Sequence, residues 1–452
     1  AKFSLLSMGE PTLQLVDGRP SEKAASLIGR AKAVSIDELI SQWFGDTQET
    51  RVEVTAPDTG VVYHLRRRFD DGDILFLANT RNDAQATIRI RSQAKSVQKW
   101  SLESGAVEPL AFDTPGDITE VLAPSGSRLL FLNAAETPAE TVAQIGNATQ
   151  VPATANSLEI ARIAPNVLTL DYLDLKIGDK EYPKQYMYAA ARLAFQSVGL
   201  PEDPWDHAVQ FNDELIRMAF PDDSGFEATY HFNVRGTVPG ALHAVVERPD
   251  LYAITCNGVP VTATLGEWWL DRAFGKIDIT KALHEGDNTL TLKASPMTMH
   301  HEIAAVYILG DFALEPADSG HVIVAPAALQ LGAWNTQGYP FYAQGVSYKQ
   351  RFNVDKPASK YLVALPAWYG SVAKVVINGE LAGHIGWQPA ECDVTKLIKT
   401  GDNTIEVIVV GTLKNTLGPY FGKERLGFAS PHSFRNASES GPPAATAYNS
   451  IG

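Results

Sequence analysis

The sequence predicts a mainly all-β protein, built of tandem antiparallel β-sandwiches or jelly rolls with a few helices. Three observations lead there. From about residue 51 apolar side chains follow a two-residue period. Asp-Gly and Asn-Gly tips separate short apolar runs, the signature of tight hairpins. Four short motifs in the second half also return once, in the same order. The chain has 452 residues, 45% apolar and 20% charged, which excludes wholesale disorder and suggests about three domains. No apolar run approaches the roughly 18 residues of a membrane helix. Two cysteines, Cys256 and Cys392, cannot make a disulfide framework or a four-cysteine zinc site. The net charge of −14 argues against nucleic acid as a partner and favours solubility.

The elements follow in order. Residues 1–50 read as the tail end of an upstream domain. Ser35-Ile36-Asp37-Glu38 is a capping box, and Ile36, Leu39, Ile40 and Trp43 then share one helical face. The chain opens on Ala1 rather than Met, so it is expected to be processed or to be a piece of something longer. Residues 51–135 form a small β-sandwich, with a hairpin at Asp70-Asp71-Gly72-Asp73 and strands near 86–91, 97–102, 120–122 and 128–132. Residues 136–160, rich in Ala, Thr, Pro and Glu, read as a linker. Residues 161–325 make a first jelly-roll module with a helical insert at 186–198 and a shorter helix at 212–218. Residues 326–430 make a second module, and 431–452 a C-terminal tail.

The repeat defines the two modules. Phe-Asn-Val at 232–234 returns at 352–354, and Asn-Gly at 257–258 returns at 378–379. Asp-Ile-Thr-Lys at 278–281 becomes Asp-Val-Thr-Lys at 393–396, and Gly-Asp-Asn-Thr at 286–289 returns unchanged at 401–404. The Asn-Gly pair suits a hairpin tip. The Thr of Asp-x-Thr suits the cap of one helical turn, which Gly286 or Gly401 then ends in the left-handed region. A unit of about 120 residues, all β with one helical turn, has jelly-roll texture.

Strand–Asn-Gly–strand, then Asp-x-Thr, then Gly-Asp-Asn, resembles the galactose-binding-like sandwich that accompanies many glycoside hydrolases. In the second copy, the segment Trp334-Asn335-Thr336-Gln337-Gly338-Tyr339-Pro340-Phe341-Tyr342 and Asn415-Thr416-Leu417-Gly418-Pro419 are more specific. Both resemble the C-terminal region of the large bacterial α-L-rhamnosidases of glycoside hydrolase family 106 and their relatives. Arg67-Arg68, Asp73-Ile74, Ala78-Asn79 and Pro124-Ser125-Gly126-Ser127 resemble the sandwich that follows the barrel in such enzymes, and Gly310-Asp311-Phe312 fits the end of copy one. Tyr420-Phe421 departs from the family, where a histidine-rich pair is expected. The resemblance implies an upstream catalytic barrel in the same protein. That barrel would hold an inverting carboxylate pair and calcium, and the enzyme would be secreted or periplasmic. It implies no catalytic residue, metal or cofactor in this chain.

The residues themselves mark no catalytic pair. Glycoside hydrolysis needs two facing carboxyls, and Glu302, Asp271 and Asp311 each have a simpler place near a turn or strand end. His300-His301-Glu302 is the one dense titratable cluster, but adjacent histidines on a strand point to opposite faces, against a metal site. No Gly-x-Ser-x-Gly elbow occurs. Asn147 and Asn436 begin glycosylation sequons. Arg66–Arg68 fit a solvated strand face, and the two cysteines fit small apolar fillers. The aromatics are the stronger lead, because sugar C–H faces stack on flat rings. The candidate carbohydrate-binding residues are Trp334, Tyr339, Tyr342, Trp368 and Trp387, some of them expected to be exposed in a contiguous apolar patch. The bland alternative is that they fill a core.

Three functions compete. The first is the non-catalytic C-terminal β-sandwich part of an α-L-rhamnosidase-like glycoside hydrolase that acts on rhamnose-containing polysaccharides or glycosides. The second is a stand-alone carbohydrate-binding or adhesion protein. The third is a sandwich-based lyase or hydrolase.

Overall fold

The computed structural model describes residues 50–56, 61–135, 148–237, 240–417 and 441–445, with shorter stretches at 6–8, 15–16, 19–20, 26 and 32–35. The apolar helical face expected at 36–43, the middle of the linker at 136–147, Asn147, residues 418–421 and Asn436 lie outside the described residues. The chain divides into two compact units, residues 1–148 with 387–389, and the remainder.

In the first unit, alternation builds two antiparallel sheets. One runs Val107–Leu110, Ser96–Trp100, Ser127–Asn133, Gly72–Asn79, Val62–Arg68; the other runs Asp117–Leu122, Ala86–Arg91, Arg51–Ala56. Every second residue turns inward, so Leu75 and Leu77, Ile88 and Ile90, Ile118 and Leu122, and Leu130 and Leu132 make one core. The hairpin closes where expected, with Arg68 opposite Asp73. Asp73 takes Arg66 at 2.7 Å and Arg68 at 3.5 Å, so these arginines brace the hairpin.

The second unit holds two sandwiches. In the first, one sheet runs Asn166–Leu170, Val306–Gly310, His243–Glu247, Asp271–Asp278, Trp268–Trp269. The other runs Lys180–Tyr186, Tyr172–Ile177, Phe226–Val234, Gly286–Ala294, Ala253–Cys256, Val259–Val261. A helix, Met187–Ser197, presses Ala190, Ala191, Ala194 and Phe195 onto the same core, one residue short of the expected span at each end. Residues 212–218 are a different matter. The Asn212 carbonyl and side chain accept the amides of Ile216 and Leu215, which closes a single turn, and no helix follows.

The second sandwich is thinner. Glu159–Arg162, Val346–Val354, Gly401–Val410, Val372–Ile377 and Glu380–Ile385 form its main sheet, and Leu362–Ala364 pairs with Glu391–Asp393 apart from it. Its first strand comes from the segment expected to end the linker. Glu159 stands opposite Lys349 and Arg162 opposite Val346. A four-residue strand is too short to show a period, and only its partner's edge makes it a strand.

The repeat holds bond by bond. Phe232 stands opposite Asn288 and Val234 opposite Gly286; Phe352 stands opposite Asn403 and Val354 opposite Gly401. Asn257 and Asn378 sit at φ 50° and 54°. The Asn257 amide donates to Ala282 O and Asn288 Oδ1, both at 2.8 Å, and its Oδ1 accepts Thr289 N at 2.8 Å. Asn378 repeats this with Leu397 O at 3.0 Å, Asn403 Oδ1 at 2.9 Å and Thr404 N at 3.0 Å. The Thr280 and Thr395 hydroxyls each donate to the preceding aspartate, Asp278 or Asp393, at 2.6 Å. That hydrogen bond holds the Asp278 carboxyl below the usual carboxylate range. Gly286 and Gly401 take φ 94° and 89°, which ends the turn as glycine permits.

Replacing Asn257 by Ala removes four side-chain hydrogen bonds, one of them long at 3.4 Å, and keeps the positive φ. We expect a loss of about 2–4 kcal/mol in denaturant unfolding. Asn257→Gly should lose about 1 kcal/mol less, because it restores the backbone freedom but not the bonds. The same pair at Asn378 should behave alike.

Candidate functional site

The five candidate rings do not share one surface. Tyr339 and Tyr342 are 2% and 1% exposed. The Arg162 guanidinium lies over both, 5.0 Å and 6.0 Å from their centres. The Tyr342 hydroxyl donates to Gly345 O at 2.6 Å and accepts Ala164 N at 3.1 Å. Trp334 is half-buried, and its indole N–H donates to the Tyr348 hydroxyl at 2.7 Å. Trp368 packs partly buried against the core of the second sandwich. Trp387 is 54% exposed. Of the five, Trp387 is exposed, whereas Tyr339 and Tyr342 have their faces covered and their hydroxyls placed on neighbouring segments of the fold. Gly338 has the same explanation: a Cβ there would meet Ala313 Cβ at 2.8 Å, so glycine permits close packing against a neighbouring strand rather than a ligand.

His301, the buried member of the histidine pair, is fully engaged. Its Nδ1 accepts Thr298 N at 3.0 Å, so Nε2–H donates to Leu251 O at 2.8 Å. Burial pushes this imidazole below its ordinary value. Among the described residues no group of three or more His, Cys, Asp or Glu could hold a metal ion. Both cysteines are buried and outside any disulfide, and burial pushes the Cys256 thiol up to about 11. Glu302 is lifted to about 7 by burial and then by Glu247, but the cavity these two line holds about 10 Å³, too small for a sugar.

A larger cavity, about 330 Å³, opens in the first sandwich. It lies where the chain crosses between sheets. Asn166–Leu170 belongs to one sheet and Tyr172–Ile177 to the other, with Asp171 at the crossing. Leu170, Tyr172, Phe232, Val322 and Phe341 supply apolar wall. Asp171 is 4% exposed. Its carboxyl bonds its own backbone amide, and Oδ2 has no partner. Leaving a buried acceptor unmatched costs about 1–3 kcal/mol. The other polar groups are held. Asp174 accepts Lys184 N at 2.7 Å and His231 Nε2 at 2.9 Å, and Asp287 accepts Asn233 Nδ2 at 2.9 Å. A hairpin, Ala313–Pro316 with His321–Val324, brings His321 to the wall, its ring centre 5.2 Å from that of Phe341. Ser319 Oγ and Gly320 N bond Pro442 O and Pro443 O at 3.1 Å and 2.9 Å, which closes the rim. None of Asp171, His231 or His321 was among the sequence candidates. The one available signal was a lone carboxylate inside the apolar run 167–173.

Burial lifts the Asp171 carboxyl from 3.8 to about 7 and pushes the His321 imidazole from 6.5 to about 4. The two act on stability with opposite signs. Between pH 3.8 and 7 the unfolded carboxyl has lost its proton while the folded one keeps it, so stability falls as pH rises. Between pH 4 and 6.5 the unfolded imidazole is protonated and the folded one is not, so stability rises with pH. Relative to the parent chain, Asp171→Asn should therefore gain stability from pH 4 to 7, and His321→Gln should lose it from pH 4 to 6.5. Each change is on the order of 3–4 kcal/mol, read from unfolding curves at pH 4, 5.5 and 7.

No protein-family model matches the chain. A stretch of 103 residues, 22% of this chain, is 33% identical to a protein of Formosa agariphila described as "Putative beta-glucuronidase" and spans 9% of that protein. The structure of a rhamnosidase from Novosphingobium sp. PP1Y aligns over 61% of this chain and 24% of its own, at 16% identity and TM-score 0.21. The structure of a Streptomyces avermitilis α-L-rhamnosidase complexed with L-rhamnose aligns over 83% of this chain and 37% of its own, at 15% identity and TM-score 0.24. The chain spans well under half the length of each of these proteins.

Proposed function

We propose that this chain is a non-catalytic β-sandwich part of a glycoside hydrolase, whose catalytic barrel lies upstream in the same protein. The observation that carries the reading is the 103-residue stretch shared at 33% identity with a β-glucuronidase-named protein. Six of the carboxylates among the described residues have structural places that fit it. Asp278 and Asp393 cap turns, Asp73 and Asp117 hold arginines, and Glu302 with Glu247 borders a cavity too small for a sugar. The resemblance of 334–342 and 415–419 to the α-L-rhamnosidase family favours rhamnosidic bonds in polysaccharides or glycosides as the parent enzyme's substrate. In that reading calcium belongs to the barrel, and the protein works in the periplasm or outside the cell. No helix among the described residues is long and apolar enough to cross a membrane. Trp387 is the candidate ring left free to stack on a glycan, with the half-buried Trp334 and Trp368 behind it in order of exposure.

Assay of the 452-residue chain with aryl α-L-rhamnosides and aryl β-D-glucuronides should show no turnover. Turnover that survives purification and disappears on replacing one carboxylate of this chain would overturn the reading.

A further inference from the structure

We propose that the cavity walled by Asp171, His231 and His321 binds one uncharged, polyhydroxylated sugar ring. This deepens the carbohydrate reading above and rests on it. The volume sets the size. About 330 Å³ is the room of roughly eleven waters, near the lower end for ligand cavities, and suits one pyranose rather than an oligosaccharide. The walls set the chemistry. Leu170, Phe232, Val322 and Phe341 give the cavity apolar wall against which sugar C–H groups can pack.

Asp171 supplies the polar anchor. It is buried, borders the cavity and has an oxygen with no partner, which a sugar hydroxyl would satisfy once the carboxyl turns toward the cavity. Near neutral pH this carboxyl exchanges between its two protonation states, so it can donate to a hydroxyl oxygen or accept from a hydroxyl. His321 stays a neutral imidazole there and adds no charge to the wall.

The Asn233–Asp287 bond is a different case. It recurs as Asn353–Asp402 at the same 2.9 Å in the second sandwich and so belongs to the fold. His231 has no such twin, because its place opposite Thr289 is taken by Arg351 opposite Thr404. Charge sets the selectivity. Asp171, Asp174 and Asp287 face the cavity against Lys184 and the Asp174-paired His231. A sugar acid would bring a further negative charge toward a buried carboxyl, which favours a neutral glycosyl unit over a uronate.

The test is calorimetric titration of the 452-residue chain at pH 7 with methyl α-L-rhamnoside, methyl α-D-glucoside and methyl β-D-glucuronide. At least one uncharged glycoside should bind, at least tenfold more tightly than the uronate. Asp171→Leu should weaken that binding at least tenfold. Val322→Trp, which fills the cavity from the hairpin edge, should abolish it if the Leu variant does not fold. Asn353→Ala, in the second sandwich, should leave it unchanged. No binding of any uncharged glycoside, preference for the uronate, or binding indifferent to both cavity variants would overturn the site. Turnover of aryl glycosides would overturn the non-catalytic reading and leave the cavity standing.

Discussion

Each sandwich of the second unit depends on one asparagine amide at a hairpin tip. The Asn257 and Asn378 side chains tie three pieces of chain together: the tip itself, the carbonyl that ends a single helical turn, and a strand amide, Thr289 N or Thr404 N. Each also meets a second, buried asparagine, Asn288 or Asn403, which in turn bonds two carbonyls of the loop that precedes it. The amides thus satisfy groups that would otherwise be stranded in a low-dielectric corner. Only then can the apolar strands on both sides reach packing distance.

Because both copies share this brace, what differs between them is informative. The cavity walls come largely from parts outside the four repeated motifs: the crossing at 168–174, the hairpin loop at 319–322 and Phe341. A duplicated scaffold has been left intact, and its exceptional residues gather in one place. The buried carboxyl at that place is a local conflict between stability and an unfilled hydrogen bond, the kind of conflict that folds tolerate at sites.

The sheets of the first unit and the repeat were legible because each rests on a local signal: alternation, Asp-Gly, Asn-Gly, and a motif that recurs. The helix was legible from its run of Ala and Leu. The aromatics were not. Tyr339 and Tyr342 read the same in sequence whether they wait for a sugar or lie under Arg162, a residue far away in the chain. Asp171 was missed for a related reason. Its strand reads as core, and only the crossing between sheets shows that its carboxyl borders a cavity. The short helix expected at 212–218 stops at one turn, closed by Asn212, and its core contacts come from the adjacent Leu215 and Ile216 rather than from residues at helical spacing.

The strand Glu159–Arg162 carries a consequence for synthesis. It completes the sheet of the second sandwich, yet the next strand, Asn166–Leu170, already belongs to the first. Ser157 and its partner Arg351 are 194 residues apart. At about 5–20 residues per second, this short segment waits roughly 10–40 s on the ribosome before its edge arrives. For that interval the growing chain carries an unpaired β-edge, guarded by Glu159 and Arg162 at its ends. The order of emergence also makes the first sandwich a tether: by the time the second is translated, its missing strand is held beside a finished neighbour. Assembly of the second sandwich is then closure of a preset loop rather than a search by a free chain.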